Sequence, residues 1–513
     1  MKNKINKILF INTPRLTLEQ LNEYSERSKY FWEVYPPLGL MYLSASLKKE
    51  KKDLSIYAID LHIEGIKKSQ ESIKVNWEEI VKKKIDEINP DLIGISVMFG
   101  ASFENAKNIG DFIKENYPSI ILVSGGVHIS ALVKEKNDDL NFNDFVTVRE
   151  SEKHFFELIE YLNKENDKVT GVYPINYRHV RDKKHFTEAA SIVEHVDELP
   201  IPDFGLIDIK NYYKYGILSA AQTVEYDTPL ATMQTVRGCT ARCTFCSVRN
   251  FNGFGVRAHS PDRVLKEILI LYEKFGIRHI DFVDDDFTVS RERVIKICEM
   301  LIDKKLDLTW SVGNGVRLGT LDDELLTCMA DSGCTYVSLG IESGDEKMLK
   351  EMKKPLTKKI LEKKAPLLEK HTRIYYRANF ITGYPGEKPE QLAATFDCAE
   401  KYSWDWSLFS LCKPLPDTEL YNKILEGKFD DTKISKIKKD KDFNFENSKS
   451  SNNGEIDEEK EIFNLTYDKN LLINFKKNKN LKGRNIERAI FHCLGLDTGM
   501  IGNKYEFNNN IDG

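Results

Sequence analysis

The sequence predicts two α/β domains in series, a doubly wound parallel sheet and then a partial (β/α)6 barrel, with a small segment after them. Three observations predict this. Residues 1 to about 165 alternate short, almost wholly apolar runs with segments of helical periodicity, the pattern of a parallel sheet covered on both faces. A second alternating series begins at Ala231 and supplies six strand–helix units. Between the two series lies an irregular stretch broken by Pro200 and Pro202. A chain of 513 residues, 41% of them hydrophobic, has material for about three domains.

In the first series the expected strands are 7–12, 54–60, 91–97, 120–124 and 145–148. Helical periodicity falls at 38–48, 77–88 and 101–116. This domain is placed at 1–165, and open sheets of this kind bind ligands at the carboxyl ends of their strands. Residues 166–230 are read as a linker. The second series has strands at 231–236, 279–283, 308–312, 335–339, 375–381 and 406–411, with helices such as 261–274 and 291–304 between them. It forms a barrel domain at 231–428, whose chemistry is expected at the carboxyl ends of its strands. The C-terminal segment, 429–513, carries a charged, Asn/Ser-rich insert at 433–461 that is too polar to bury and is expected to be mobile. Order is expected to return with Ile462–Tyr467 and a helix near Glu487–Leu494.

The net charge of -5 implies neither a surface for nucleic acid nor an acidic tail. No apolar stretch approaches the ~18 residues of a membrane span, and the apolar run behind the basic N-terminus is too short for a secretory signal. A cytoplasmic location is therefore expected, with no membrane partner. Of nine cysteines, Cys298, Cys328, Cys334, Cys398, Cys412 and Cys493 have no ligand spacing and read as buried, reduced thiols.

The remaining three, Cys239, Cys243 and Cys246, stand in C-x3-C-x2-C spacing just after the first strand of the second series. Three thiolates on one loop can bind three irons of a [4Fe–4S] cluster and leave the fourth without a protein ligand. A structural zinc would want a fourth ligand close by, and His259 is thirteen residues beyond Cys246. The spacing, with Phe245 before the last cysteine, resembles the radical S-adenosylmethionine (SAM) superfamily, in which the open iron chelates the amino and carboxylate groups of SAM.

Four further segments extend that resemblance. The second strand of the series ends in Asp284-Asp285-Asp286, and adjacent carboxylates need a cation or donors to face. The resemblance implies contact with the SAM amino group there. The fourth strand ends in Ser338-Leu-Gly340-Ile-Glu342, similar to the family's ribose-binding motif. The fifth ends in Gly383-Tyr-Pro385-Gly386-Glu387, similar to the segment that lies along the adenine. The sixth leads to Pro414-Leu-Pro416-Asp417-Thr418, with Asp417 where the family usually has glycine. Phe245, Asp284, Asp285, Asp286, Ser338, Glu342 and Gly383 are thus the implied SAM residues.

The N-terminal sheet resembles the cobalamin-binding, Rossmann-like domain that precedes one subgroup of these TIM-type barrels. The resemblance rests on the run from Tyr35 through Pro37, Leu38 and Gly39, on Ser96 and Met98 after the third strand, and on Gly125, Gly126 and His128 after the fourth, and it implies Thr13 and Pro14 after the first strand as further cobalamin residues. Small residues there would let backbone approach the nucleotide tail. The family's usual Gly-Glu-Gly-Glu is here Arg149-Glu-Ser-Glu152. A cobalt-ligand signature, D-x-H-x-x-G, occurs at Asp60–Gly65, but after the second strand rather than the first, so His62 is not expected to ligate cobalt.

The chain is accordingly identified as a cobalamin-dependent radical SAM enzyme. The resemblance implies three cofactors, a [4Fe–4S] cluster, SAM and cobalamin, and an electron donor such as flavodoxin or ferredoxin. Methyl transfer to an unactivated carbon, or to a phosphinate centre, of a small molecule or peptide is the expected reaction. A radical ring closure or rearrangement is the alternative among enzymes, and a cobalamin sensor without catalysis the alternative outside them. No cysteine precedes Cys239, which argues against a methylthiotransferase.

Overall fold

The structure, a computed structural model, describes residues 4–428 apart from short stretches at 19–20, 23–33, 72, 136–137, 189–191, 216–222 and 224–227. The insert expected at 433–461, the run 462–467, the helix near 487–494 and Cys493 lie outside the described residues. The chain divides into two compact units. The first comprises residues 1–216 with 247–259, the second residues 217–246 with 260–513.

In the first unit, strands β1 (Lys7–Asn12), β2 (Ser55–Asp60), β3 (Leu92–Ser96), β4 (Ile121–Gly125) and β5 (Phe145–Thr147) are parallel, and β6 (Val172–Pro174) lies antiparallel to β5. The order is β2-β1-β3-β4-β5-β6, so the chain reverses direction across the sheet at β1 and β3. Helices α1 (Leu38–Glu50), α2 (Leu61–Gln70), α3 (Trp77–Ile88), α4 (Phe103–Asn116), α5 (Val127–Lys134) and α6 (Glu152–Leu162) cover it. Strand periodicity divides the core in two. Leu9, Ile11, Ile93 and Ile95 pack with Trp77, Val81 and Ile85 of α3, whereas Ile8, Phe10 and Leu92 pack with Leu43 and Leu47 of α1 and Phe155 and Leu158 of α6. The stretch read as a linker folds into this unit as far as residue 216: Val169–Thr170 pairs with Phe186–Thr187, and the buried Tyr212 donates from its hydroxyl to Asp60 Oδ2 at 2.7 Å.

The segment 247–259, which directly follows the last cysteine of the loop, also belongs to this unit. Arg257 holds it with two parallel hydrogen bonds of 2.7 and 2.6 Å to the two oxygens of Glu150, whose side chain is 3% exposed. His259 adds a contact of 3.1 Å from Nδ1 to Asp197.

In the second unit, β7 (Leu230–Met233), β8 (His279–Phe282), β9 (Thr309–Val316), β10 (Cys334–Glu342), β11 (Tyr375–Thr382) and β12 (Trp406–Leu411) form a parallel sheet in sequential order. Helices α7 (Pro261–Phe275), α8 (Arg291–Lys304), α9 (Asp323–Asp331), α10 (Lys358–Leu368) and α11 (Pro389–Lys401) lie between the strands. The helix ends are written in the sequence. Ser260 caps α7 ahead of Pro261, Gly276 closes it in the left-handed region at φ 69°, and Ser290 and Asp322 cap α8 and α9. Strands β9 and β10 run past the expected ends at Val312 and Leu339. Register shifts between Val312 and Val316 and between Gly340 and Glu342 carry the pairing past Gly313, Gly315 and Gly340. Among the described residues no helix is long and apolar enough to cross a membrane.

Candidate active site

In the first unit the expected cobalamin residues collect at the carboxyl ends of β1, β3 and β4, at the reversal point where an open parallel sheet leaves a crevice. Register aligns Asn12, Ser96 and Gly125 in one row. Thr13 Oγ1 donates to the Ser96 carbonyl at 2.8 Å, and Asn105 Nδ2 holds the carbonyls of Pro14 and Leu16 at 3.0 Å each. Pro37 precedes the first turn of α1, and at Gly39 an added Cβ would meet open space. Met98 and Phe99 are both 48% exposed, an apolar surface beside that row. His128 is in the first turn of α5 with its ring centre 5.4 Å from that of Phe103, and burial pushes its pKa down to about 4, so the imidazole is neutral near pH 7.

The smallness of Gly125 and Gly126 is required by the protein itself. A Cβ on Gly126, which sits at φ 114°, would lie 2.5 Å from the Val97 carbonyl oxygen, and one on Gly125 would lie 2.4 Å from Thr147 Oγ1. The Asp60–Gly65 signature likewise has a structural use. Asp60 caps α2 by accepting from His62 N at 2.9 Å and Ile63 N at 3.3 Å, and a Cβ on Gly65 would lie 2.3 Å from the Trp77 ring. His62 follows β2, an edge strand, away from the β1–β3 crevice. At Arg149, where the family's glycine is missing, the backbone keeps φ 59°, a left-handed conformation.

In the second unit the three aspartates after β8 organise the cysteine loop. Asp284 is fully buried and accepts from Thr235 N, from Thr235 Oγ1 at 2.6 Å and from Val236 N at 2.9 Å. That is a correction: its carboxylate is consumed by the strand leading into the loop and has no surface left for SAM. Burial pushes its pKa up to about 6, with the Arg293 guanidinium and these donors opposing the rise. Asp285 Oδ2 accepts from Gly238 N at 2.7 Å and stays half-buried. Asp286 pairs with Arg317 at 2.8 Å and receives the Cys239 thiol at 3.5 Å. Of the three, Asp285 alone keeps exposed surface for a ligand.

The cysteines are half-buried, and none is in a disulfide. Burial pushes the thiol pKa of Cys239 up to about 11 and that of Cys243 up to about 12; Lys354, Glu342 and the other two cysteines are near enough to Cys243 to act on it electrostatically. Metal binding would displace these protons. Among the described residues no three His, Cys, Asp or Glu side chains converge on a single-ion site. A cubane has no need of one, since each thiolate binds a different iron. At the end of β10, Glu342 at φ 70° forms an ion pair of 2.8 Å with the buried Lys354. Gly383 N donates to Glu387 Oε2 at 2.6 Å after β11. Phe245, with Ile381, Leu411, Cys412 and Leu415, lines an apolar pocket of about 490 Å³ at the ends of β11 and β12. Ser338 is fully buried and faces the inside of the sheet, away from that pocket's lining.

A pH test arises behind the loop. Glu267 of α7 is fully buried with Arg263 Nη2 3.4 Å away; burial, opposed by Arg263 and reinforced by Asp284, pushes its pKa up to about 7. A carboxyl that keeps its proton longer when folded stabilises the protein fully below its unfolded pKa, and that stability is lost as pH rises toward the folded value. The loss across about pH 4.5 to 7 is about 3 kcal/mol for this group. Glu267→Gln should therefore flatten the decline of Tm between about pH 5 and 7, and an unchanged slope in thermal melts would assign the decline to other groups.

The B12 binding domain family matches residues 32–159 and the Radical SAM superfamily matches residues 233–399, together more than half of the chain. The chain belongs to the cobalamin-binding radical SAM enzymes. An uncharacterized methyltransferase of Pyrococcus horikoshii is 29% identical over 388 residues, 75% of this chain and 78% of the relative. Cytidylyl-2-hydroxyethylphosphonate methyltransferase of Streptomyces wedmorensis is 28% identical over 438 residues, 78% of this chain and 79% of the relative. Among solved structures, the radical SAM methyltransferase TsrM of Kitasatospora setae superposes with a TM-score of 0.61 at 18% identity, covering 82% of this chain and 76% of the other, which is a likeness of fold. As a radical SAM enzyme the chain has, beyond the motif residues, a polar inner face on its second sheet that the sequence reading missed. The signal was present as polar residues two apart in strands otherwise apolar, His279 and Asp281 on β8 and Arg377 and Asn379 on β11.

Proposed function

We propose that this protein is a cobalamin-dependent radical SAM methyltransferase acting on a carbon or phosphinate centre of a small molecule or peptide. The observation that carries the reading is that two methyltransferase relatives align over three quarters or more of a chain that holds both family regions. When bound, the cluster, SAM and cobalamin supply reductive cleavage of SAM and carriage of a methyl group. The protein's part is to hold and orient them. Cys239, Cys243 and Cys246 would hold the cluster, on a loop fixed by Asp284, Asp285 and Asp286. Asp285, Glu342 and the Gly383 turn would meet SAM, with the apolar pocket under Phe245 of a size and character to enclose an adenine. Thr13, Pro14, Pro37, Leu38, Gly39, Ser96, Met98 and the first turn of α5 with His128 would cradle cobalamin. A small flavodoxin or ferredoxin would supply the electron.

The test is stoichiometric. Each turnover is expected to consume two SAM, giving equal amounts of S-adenosylhomocysteine, 5′-deoxyadenosine and methylated product under strong reductant without oxygen. SAM carrying a deuterated methyl group should label the product. Deoxyadenosine with no labelled product and no matching homocysteine would replace methyl transfer by ring closure or rearrangement.

A further inference from the structure

Away from the cluster loop, the second unit brings two cysteines together. Cys298 lies on α8 and Cys328 on α9, consecutive helices that connect parallel strands and therefore run the same way. Ion pairs at their heads set the register: Arg291 Nε lies 2.7 Å from Asp322 Oδ2, and Arg291 also pairs with Glu324. At about 1.5 Å per residue, Cys298 stands about 10 Å along α8 from Arg291 and Cys328 about 9 Å beyond Asp322, so the two are level.

The contacts agree. The two thiols are hydrogen-bonded to each other, and Cys298 also bonds the side chain of Ser332, one turn beyond Cys328. Cys328 Sγ donates to the carbonyl of Ile295, one turn before Cys298, at 3.9 Å. Facing Cα atoms of helices packed about 8–10 Å apart lie about 3.5–5.5 Å from one another. A disulfide spans about 4.4–6.8 Å between Cα atoms, so this packing can accept one.

The pair is asymmetric. Cys298 is fully buried, whereas Cys328, expected to be buried, is half-buried. The bond from Cys298 holds the Cys328 thiol below its usual pKa, and the same bond together with burial pushes Cys298 well above it. An accessible sulfur that releases its proton readily, backed by a buried one that keeps it, is the arrangement of a nucleophilic and a resolving thiol. Cys334, near enough to act on Cys298 electrostatically, is buried at the start of β10 with its thiol 3.8 Å from the Tyr336 carbonyl.

We infer that Cys298 and Cys328 form a reversible disulfide site that reacts with low-molecular-weight disulfides of the glutathione class. Cys328, as thiolate, attacks one sulfur of the small disulfide, and one small thiol leaves. Cys298 then attacks Cys328 Sγ in the mixed disulfide, and the second small thiol leaves. Two electrons pass from the pair to the small molecule, and the two protons leave on the released thiols. The new bond ties together two helices whose neighbourhoods support the cysteine loop. Arg293 of α8 donates to Thr235 Oγ1 at 2.7 Å, and Arg317, in the segment leading to α9, pairs with Asp286 at 2.8 Å. The site is independent of the radical SAM reading, and its readout is a covalent bond rather than turnover.

The test treats the reconstituted holoenzyme with glutathione disulfide, without oxygen or denaturant. Peptide mapping without reduction should show Cys298 joined to Cys328. The treated chain should have two free thiols fewer than the untreated one, both restored by dithiothreitol. The cross-linked protein should melt no lower than the reduced one. Cys298→Ser should stop with one glutathione held on Cys328, and Cys328→Ser should take none at Cys298. Glutathione resting on Cys328 of the parent with no cross-link would overturn the inference. So would a cross-link from Cys298 to Cys334, or a Tm lowered by the bond. An unmodified Cys328 in the folded parent, under an excess that modifies the denatured chain fully, would overturn it as well. Peptide mapping of the parent decides alone if either variant does not fold.

Discussion

Cys243→Ala should eliminate the cluster's visible absorbance and bring 5′-deoxyadenosine formation below detection, while cobalamin still binds. The expectation of complete loss follows from position. Cys243 is the cysteine whose thiol feels both of the others, and it shares its surroundings with the buried Lys354–Glu342 pair. With two thiolates left, one iron that the protein should hold has no ligand, and the cluster has no stable three-point seat. Every residue expected to touch cobalamin lies in the first unit, so its spectrum in the variant serves as the internal control for folding. Iron content, the absorbance spectrum and chromatography of the SAM cleavage products check the result. Undiminished deoxyadenosine from the variant would remove the radical SAM chemistry from this loop.

Asp284→Ala should be the most damaging substitution that touches no cysteine. It strands three donors on Thr235 and Val236 and removes a carboxylate whose charge the Arg293 guanidinium feels. Losing one partner from a buried, hydrogen-bonded charge cluster costs about 3–5 kcal/mol. In a unit of this size that lowers Tm by on the order of 10 °C. The damage should spread to the cysteines, because the backbone of 235–236 leads directly into Gly238 and Cys239. Iron per chain after reconstitution should fall with Tm, and Asp284→Asn, which keeps an acceptor, should fall less. Full iron loading with an unchanged melt would show that the loop is held by something else.

Much of this was legible in the residues. Strands such as Lys7–Asn12 were readable end to end because a strand buried on both faces is almost continuously apolar. The cysteine spacing was readable because three ligands on one loop are rare by chance. What sequence hid was tertiary. Three consecutive aspartates announce that something positive or donating faces them, but only the fold shows that Asp284 faces the backbone two residues beyond β7. Gly125 and Gly126 were rightly singled out as close-approach glycines, yet the approaching atoms belong to Thr147 and Val97. Arg377 was passed over because one charge in an apolar strand resembles an edge residue until the register sets it beside Ser338.

The membership of residues 247–259 in the first unit has a consequence for how the chain is made. A ribosome delivers the six strands of the first sheet long before it delivers Arg257, and in between it delivers Cys239, Cys243 and Cys246. Until Arg257 arrives, the Glu150 carboxylate has neither its guanidinium nor the segment that carries it. The nascent sheet therefore cannot close around its last ion pair before the iron-binding loop has been synthesised. A gene cut after residue 230 would make that waiting state permanent.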